Sequence, residues 1–188
     1  MRDKPRYKLP TEDRLTRAAV HYLERYPSSE VNLRKVLERK VLKACLSLDE
    51  DLETYSDLVR TVVEKCVRAG LVNDRSFAET KTASLRRRGA SSRKIEAKLA
   101  AKGVDRETIR SVLDQDAQTD DDAAKAFARR KRLGPYRKAT EREDRRDKDL
   151  AAMCRAGFSF ELARRVVDGE IDTEADASGD APAGVSAK

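Results

Sequence analysis

Few residues in this chain have the types and spacing that chemistry needs. Asp120-Asp121-Asp122 is the sort of acidic cluster that could hold a divalent cation, but it stands just before a segment carrying Ala124, Phe127 and Ala128. Carboxylates at that place favour the positive end of a helix dipole, so the cluster reads as a helix start. Cys45, Cys66 and Cys154 are odd in number, widely spaced and without a Cys-x-x-Cys pair. That pattern argues against a disulfide frame and against a zinc site. All three sit beside apolar helical positions, and buried, reduced thiols are the expectation. His21, the sole histidine, falls between Val20 and Tyr22 on a predicted helix, which suits a packing or surface role. There is no glycine-rich phosphate loop, no histidine dyad and no metal-ligand spacing. We therefore expect no enzyme, no metal and no cofactor.

Positive charge is the feature left to explain. The 188 residues include 41 Lys+Arg against 34 Asp+Glu, a formal net charge of +7, and 40% of the chain is charged. The cations come in runs: Arg86-Arg87-Arg88, then Arg93, Lys94, Lys98 and Lys102, then Arg129-Arg130-Lys131-Arg132 and Arg137-Lys138. Three consecutive arginines on a helix fan over most of its circumference, so at least one or two must face outward. A solvated helix surface would account for some of this. The runs lack, however, the compensating acids of the 141–149 stretch, where Glu141/Arg145 and Asp144/Lys148 stand at i, i+4. An anionic partner follows, either nucleic acid or an acidic protein surface. No aromatic residues interleave these runs, which favours phosphate contact over base stacking.

The elements that must hold these residues are helices. Leu15, Ala18, Ala19, Tyr22, Leu23 and Tyr26 share one face of a helix that Pro27 stops. Ser28 or Ser29 can cap the next, striped by Leu33, Val36, Leu37, Val41, Ala44 and Leu48. Leu52, Tyr55, Val59, Val62, Cys66 and Ala69 form a third stripe, closed by Gly70. Asp74 can cap a helix carrying Phe77, Ala78 and Leu85 up to Gly89, and Ser91 or Ser92 opens one with Ile95 and Leu99 ending at Gly103. Asp105 caps a helix through Ile109, Val112 and Leu113, with Val104 and Ile109 spaced as a hydrophobic staple. No alternating strand pattern of useful length occurs.

The helices repeat as a set. Leu23, Leu33, Leu37 and Lys40 recur 62 residues later as Leu85, Ile95, Leu99 and Lys102. Gly103-Val104-Asp105 with Ile109, Val112 and Leu113 recurs 54 residues later as Gly157-Phe158-Ser159 with Ala163, Val166 and Val167. Three-helix repeats are expected over 13–70, 74–115 and 120–169. Units this small must share buried faces, so an all-α, elongated, curved array is expected. Residues 1–12, with Pro5 and Pro10, read as a basic flexible arm. Residues 170–188 read as an acidic disordered tail of net charge −4, which leaves +11 on residues 1–169. No apolar run approaches the roughly 20 residues of a membrane span. No apolar h-region follows Met1-Arg2-Asp3-Lys4, so no secretory signal is expected and the cytoplasm is the expected location.

One segment is more specific. Gly70-Leu71-Val72-Asn73-Asp74-Arg75-Ser76-Phe77-Ala78 is followed by Arg86 or Arg87, Gly89, Arg93-Lys94-Ile95, Leu99, Lys102-Gly103-Val104, Ile109 and Leu113. This ordered series resembles the central signature of the RecX family, bacterial regulators of the recombinase RecA. The resemblance is strong across about 66–113 and extends in layout over 13 to about 169. It departs from the family in the third repeat, whose middle helix, about 139–156, is charged until Leu150 and Met153 and has a thin apolar face.

The resemblance implies tandem three-helix repeats and binding in or along the RecA–DNA filament. It implies limits on filament growth, ATP hydrolysis and strand exchange, and hence a part in homologous recombination, DNA repair and the SOS response. Charge geometry nominates Arg86, Arg87, Arg88, Arg93, Lys94, Lys98 and Lys102 for contact with recombinase or DNA, single- or double-stranded, and Arg129, Arg130, Lys131 and Arg132 second. A monomer is expected. A direct DNA-binding helical module and a structural helical adaptor are the alternatives.

Overall fold

The computed structural model describes residues 7–171, and every regular element among them is helical. The helices are α1 (Glu12–Leu23), α2 (Glu30–Leu48), α3 (Ser56–Arg68), α4 (Asp74–Arg86), α5 (Ser92–Ala100), α6 (Arg106–Asp114), α7 (Asp120–Lys131), α8 (Arg142–Arg155) and α9 (Phe160–Val167). Short 3-10 turns precede α3 and lie between α7 and α8. The helices fall into successive triplets with one packing order. The third helix of each set, α3, α6 or α9, packs on both of the others.

The chain divides into two compact units. One comprises Met1–Arg86 with Ser92–Ala117, and the other Arg87–Ser91 with Gln118–Lys188. The first unit therefore holds α1–α6. Its larger core is built from Leu15, Leu33, Leu37, Val41, Val62 and Cys66, positions of the predicted stripes, joined by Val63, which lay outside them. The middle triplet buries Ala78, Leu85, Ile95, Leu99, Val104, Ile109 and Val112.

The two triplets of this unit are joined by polar bonds at the start of α2. The Ser29 hydroxyl accepts from the Asn32 N–H as the helix cap and donates to the Lys102 carbonyl. Asp74, expected to cap α4, instead accepts from the Glu30 N–H at 2.8 Å, and Asn73 caps α4 by accepting from the Ser76 N–H at 2.9 Å. The correction has a simple cause: Asp74 is already inside the first turn, and the unpaired amides of a neighbouring helix start lie within its reach. Gly103, at φ +80°, has no Cβ and so admits the Val31 side chain.

The second unit solves the problem of its thin apolar face with a buried ion pair. Asp149, 2% exposed, accepts from the Gly134 N–H at 2.9 Å and from Arg137 at 2.8 and 3.1 Å. Around it, Ala124, Phe127, Leu150, Met153, Phe158, Ala163 and Val166 form the core. Arg146 makes a paired contact with Asp168 at 2.7 and 2.8 Å, and Glu141 pairs at 3.4 Å with Arg137, four residues before it, in place of the expected Arg145. Ser91 donates to the Ala156 carbonyl at 2.8 Å, repeating in this unit the Ser29–Lys102 bond at the offsets found in the sequence.

Several expectations shift at the edges. Helix α1 stops at Leu23, so Tyr26 leaves the stripe and is 57% exposed. Leu52 and Ala69 are exposed as well. Within the expected flexible arm, Pro10 is buried and the Leu9 carbonyl accepts from Arg14 at 2.7 Å. Within the expected tail, Glu170 pairs with Arg164 and Ile171 is buried. Residues 1–6 of that arm and 172–188 of that tail lie outside the described residues. No described helix is long and apolar enough to cross a membrane.

Candidate partner and nucleic-acid interface

The basic runs are positioned by helix ends. At the end of α4 the three arginines separate. Arg86 is 4% exposed, its Nε 2.6 Å from Asp116 Oδ2 and its second guanidinium nitrogen 2.7 Å from Ser92 Oγ. This corrects its nomination as a contact residue. It is the last residue of α4 and faces inward beside Leu85, and a carboxylate from the segment after α6 compensates its burial. Arg87 and Arg88 follow the helix and are exposed. Gly89, at φ +68°, then lets the chain lie against the backbone of α7 at Ala123 and Phe127, where a Cβ would collide.

On α5, Ile95 and Leu99 point into the core, which forces Arg93, Lys94 and Lys98 outward. Lys94 and Lys98 lie on one side at i, i+4. Lys102, one turn further, remains exposed but donates to Asn32 Oδ1 at 3.1 Å.

Arg129, Arg130 and Lys131 close α7, and Arg132 is its left-handed cap at φ 54°. All four are exposed, at the negative end of the helix dipole. Here the structure supplies aromatic partners that the linear sequence did not show. The Arg129 guanidinium lies 5.5 Å from the Tyr136 ring centroid, and that of Arg130 lies 5.7 Å from Phe127. Among the described residues, Arg87, Arg88, Arg93, Lys98, Lys131 and Arg132 pair with no carboxylate.

The acids near these cations are structural. Thr119 and Asp122 form a capping box at the start of α7, and Asp121 reaches Arg165 at 3.5 Å. Among the described residues no group of His, Cys, Asp and Glu could hold a metal ion. Cys45 and Cys66 are buried, and desolvation raises both thiol pKa values, with Glu50 and Asp51 adding to the effect at Cys45. Cys154 is only partly buried, which departs from the expectation.

One cationic face was missed. Arg14, Arg17, His21 and Arg25 recur at i, i+3, i+7 and i+11 along α1 and just beyond it. The signal was present as a helical period, but attention to consecutive runs passes over cations spaced this way.

Comparison with known proteins gives a consistent result. The family described as "RecX, second three-helix domain" matches residues 73–113. The chain is 42% identical over 168 residues to the "Regulatory protein RecX" of Myxococcus xanthus, covering 88% of this chain and 89% of that one. The protein of the same name from Agrobacterium fabrum is 38% identical over 111 residues, 59% of each chain. That from Thermobifida fusca is 30% identical over 168 residues, 87% of this chain and 83% of its own. No solved structure matches.

Proposed function

The chain belongs to the RecX family of regulatory proteins, and on that premise we propose that it binds the filament a RecA recombinase forms on DNA and restrains it. The alignment with regulatory relatives over nearly the whole chain carries this reading. In it the protein works without catalysis, as a monomer in the cytoplasm, by occupying filament surface. Bound protein limits filament growth and lowers ATP hydrolysis and strand exchange.

The placement of the cations supports the same reading. Arg87, Arg88, Arg93, Lys94, Lys98 and Lys102, with Arg129, Arg130, Lys131 and Arg132, are held outward by helices whose apolar sides are buried. Such groups suit both acidic protein surface and phosphate, and their field speeds encounter with an anionic filament.

The test is the DNA-dependent ATPase of the cognate RecA recombinase, with this protein added at substoichiometric ratio. Loss of most of the ATPase is expected. An ATPase unchanged at equimolar protein overturns the reading, and salt-dependent binding to one defined duplex sequence would point to a direct DNA-binding module instead.

A further inference from the structure

The missed face of α1 lines a groove unlike the basic runs. Between α1 and α2 runs an open cleft of about 490 Å³, walled by Arg25, Arg39, Lys40 and Lys43. It continues past Lys40 into a second stretch of about 450 Å³, walled by Lys8, Arg14 and Arg17. Neither stretch is lined by an aspartate or a glutamate. Among the described residues, Lys8, Arg17, Arg25, Lys40 and Lys43 pair with no carboxylate, and Glu24 meets His21 at 3.9 Å.

Three tyrosines stand among these cations. Tyr22 and Tyr26 meet with ring centroids 5.4 Å apart and a tilt of 37°, and Tyr7 lines both stretches. Tyr22 is fixed in place, since its hydroxyl accepts from Asn32 Nδ2 at 3.1 Å. Tyr26 is 57% exposed. The Arg14 bond to the Leu9 carbonyl holds the Tyr7 segment against α1.

We propose that this groove binds single-stranded DNA, with tyrosines stacking on bases and the flanking lysines and arginines contacting successive phosphates. An exposed ring such as Tyr26 inside a cleft whose charged residues are all cationic is what an unpaired strand uses, because every base has a π-face and every linkage a charge. A duplex keeps its bases stacked and cannot offer them to Tyr26. The site lies wholly within α1, α2 and the segments beside them, and none of Arg87, Arg88 or the α5 and α7 cations lines it. The choice of DNA over RNA rests on the filament reading above; the groove's preference for an unpaired strand does not.

The experiment is fluorescence anisotropy of a labelled oligo(dT) with the full chain and no recombinase present. Tyr26→Ala leaves the core untouched and should weaken binding roughly 5- to 150-fold, the effect of losing one stacked base, while Tyr26→Phe should bind as the parent does. Lys40→Ala with Lys43→Ala should lower the slope of log affinity against log salt by about 1.4, or 0.7 for each lost phosphate contact on a single strand. An excess of unlabelled duplex of equal length should fail to displace the oligonucleotide. Tyr26→Ala binding that matches the parent, with folding verified by melting, overturns the proposal. So does duplex that competes on equal terms, or oligonucleotide binding abolished by Arg87→Ala with Arg88→Ala and untouched by the groove variants. Because no recombinase is present, these outcomes are independent of the ATPase test.

Discussion

Arg86 and its two neighbours show how far one helical position can change a residue's role. Breaking a buried pair leaves an unpartnered charge, so Arg86→Ala should destabilise the fold by about 3 kcal/mol, a fall in Tm of roughly 10 °C. Arg87→Ala with Arg88→Ala should stay within about 0.5 kcal/mol per site, and thermal melting separates the cases. Asp168 offers a test by pH. The Arg146 guanidinium holds its carboxyl below the usual carboxylate range, so its stabilisation is complete above the unfolded value near ~3.9 and is lost as pH falls through the folded one. The Tm gap between the parent and Asp168→Asn should therefore close as the solution is acidified below about pH 4. Among the thiols, Cys45 and Cys66 are shut away and pushed toward the protonated form, so a thiol reagent should label Cys154 first in the native protein.

At the scale of elements, the helices are specified by stripes and caps and joined by a few residues outside both. Gly103 and Gly70 each end a helix with positive φ, but their surroundings differ. An added Cβ at Gly70 meets nothing within 4 Å, whereas at Gly103 it runs into Val31. Gly70→Ala should cost about 1 kcal/mol for its backbone conformation alone. Gly103→Ala should cost at least about twice that, because the second helix triplet must also retreat from the first. Denaturant melts of the two variants make the comparison, and equal midpoints would show that the junction yields without cost. Asp149 plays the corresponding part in the second unit, where one carboxylate holds the turn at Gly134 and the Arg137 side chain against a helix short of apolar residues.

Charge is the property of the whole molecule that bears on function. Residues 172–188 contain Asp172, Glu174, Asp176, Asp180 and Lys188, a strip opposite in sign to residues 1–169. If this strip competes for the cations, its deletion should tighten binding to DNA or filament at low salt and have less effect at high salt, where screening weakens the competition. Equal affinity of both proteins at low salt would remove the strip from the mechanism. With Arg86 assigned to the fold, the informative functional variant is Arg87→Ala with Arg88→Ala. It should remain folded and lose inhibition of the recombinase ATPase, with a shallower dependence on salt. Full inhibition by that variant would move the contact to Arg129, Arg130, Lys131 and Arg132.

The periodicity of Leu33, Leu37, Ile95, Leu99, Ile109 and Val112 was enough to identify a helical repeat protein, because burial follows directly from a 3.6-residue period. The 62- and 54-residue offsets likewise located the serines that join α2 to Lys102 and Ser91 to Ala156, although not the bonds themselves. Those bonds, the turning of Asp74 from cap to junction and the pairing of Asp149 with Arg137 all join residues distant in the sequence or on separate elements. No local pattern records them. The same holds for the cations. A run of three arginines announces charge, but which of them is buried depends on Asp116, thirty positions away, reaching α4. Tyr22 and Tyr26, four residues apart, meet locally, but Tyr7 and the α2 cations Arg39, Lys40 and Lys43 join them only once the preceding segment and α2 lie beside α1. The sequence determined the elements and the sign of the surface, since both follow from residue type and local spacing. Which charges are free to act was decided by packing, because burial and pairing depend on neighbours that only the fold brings together.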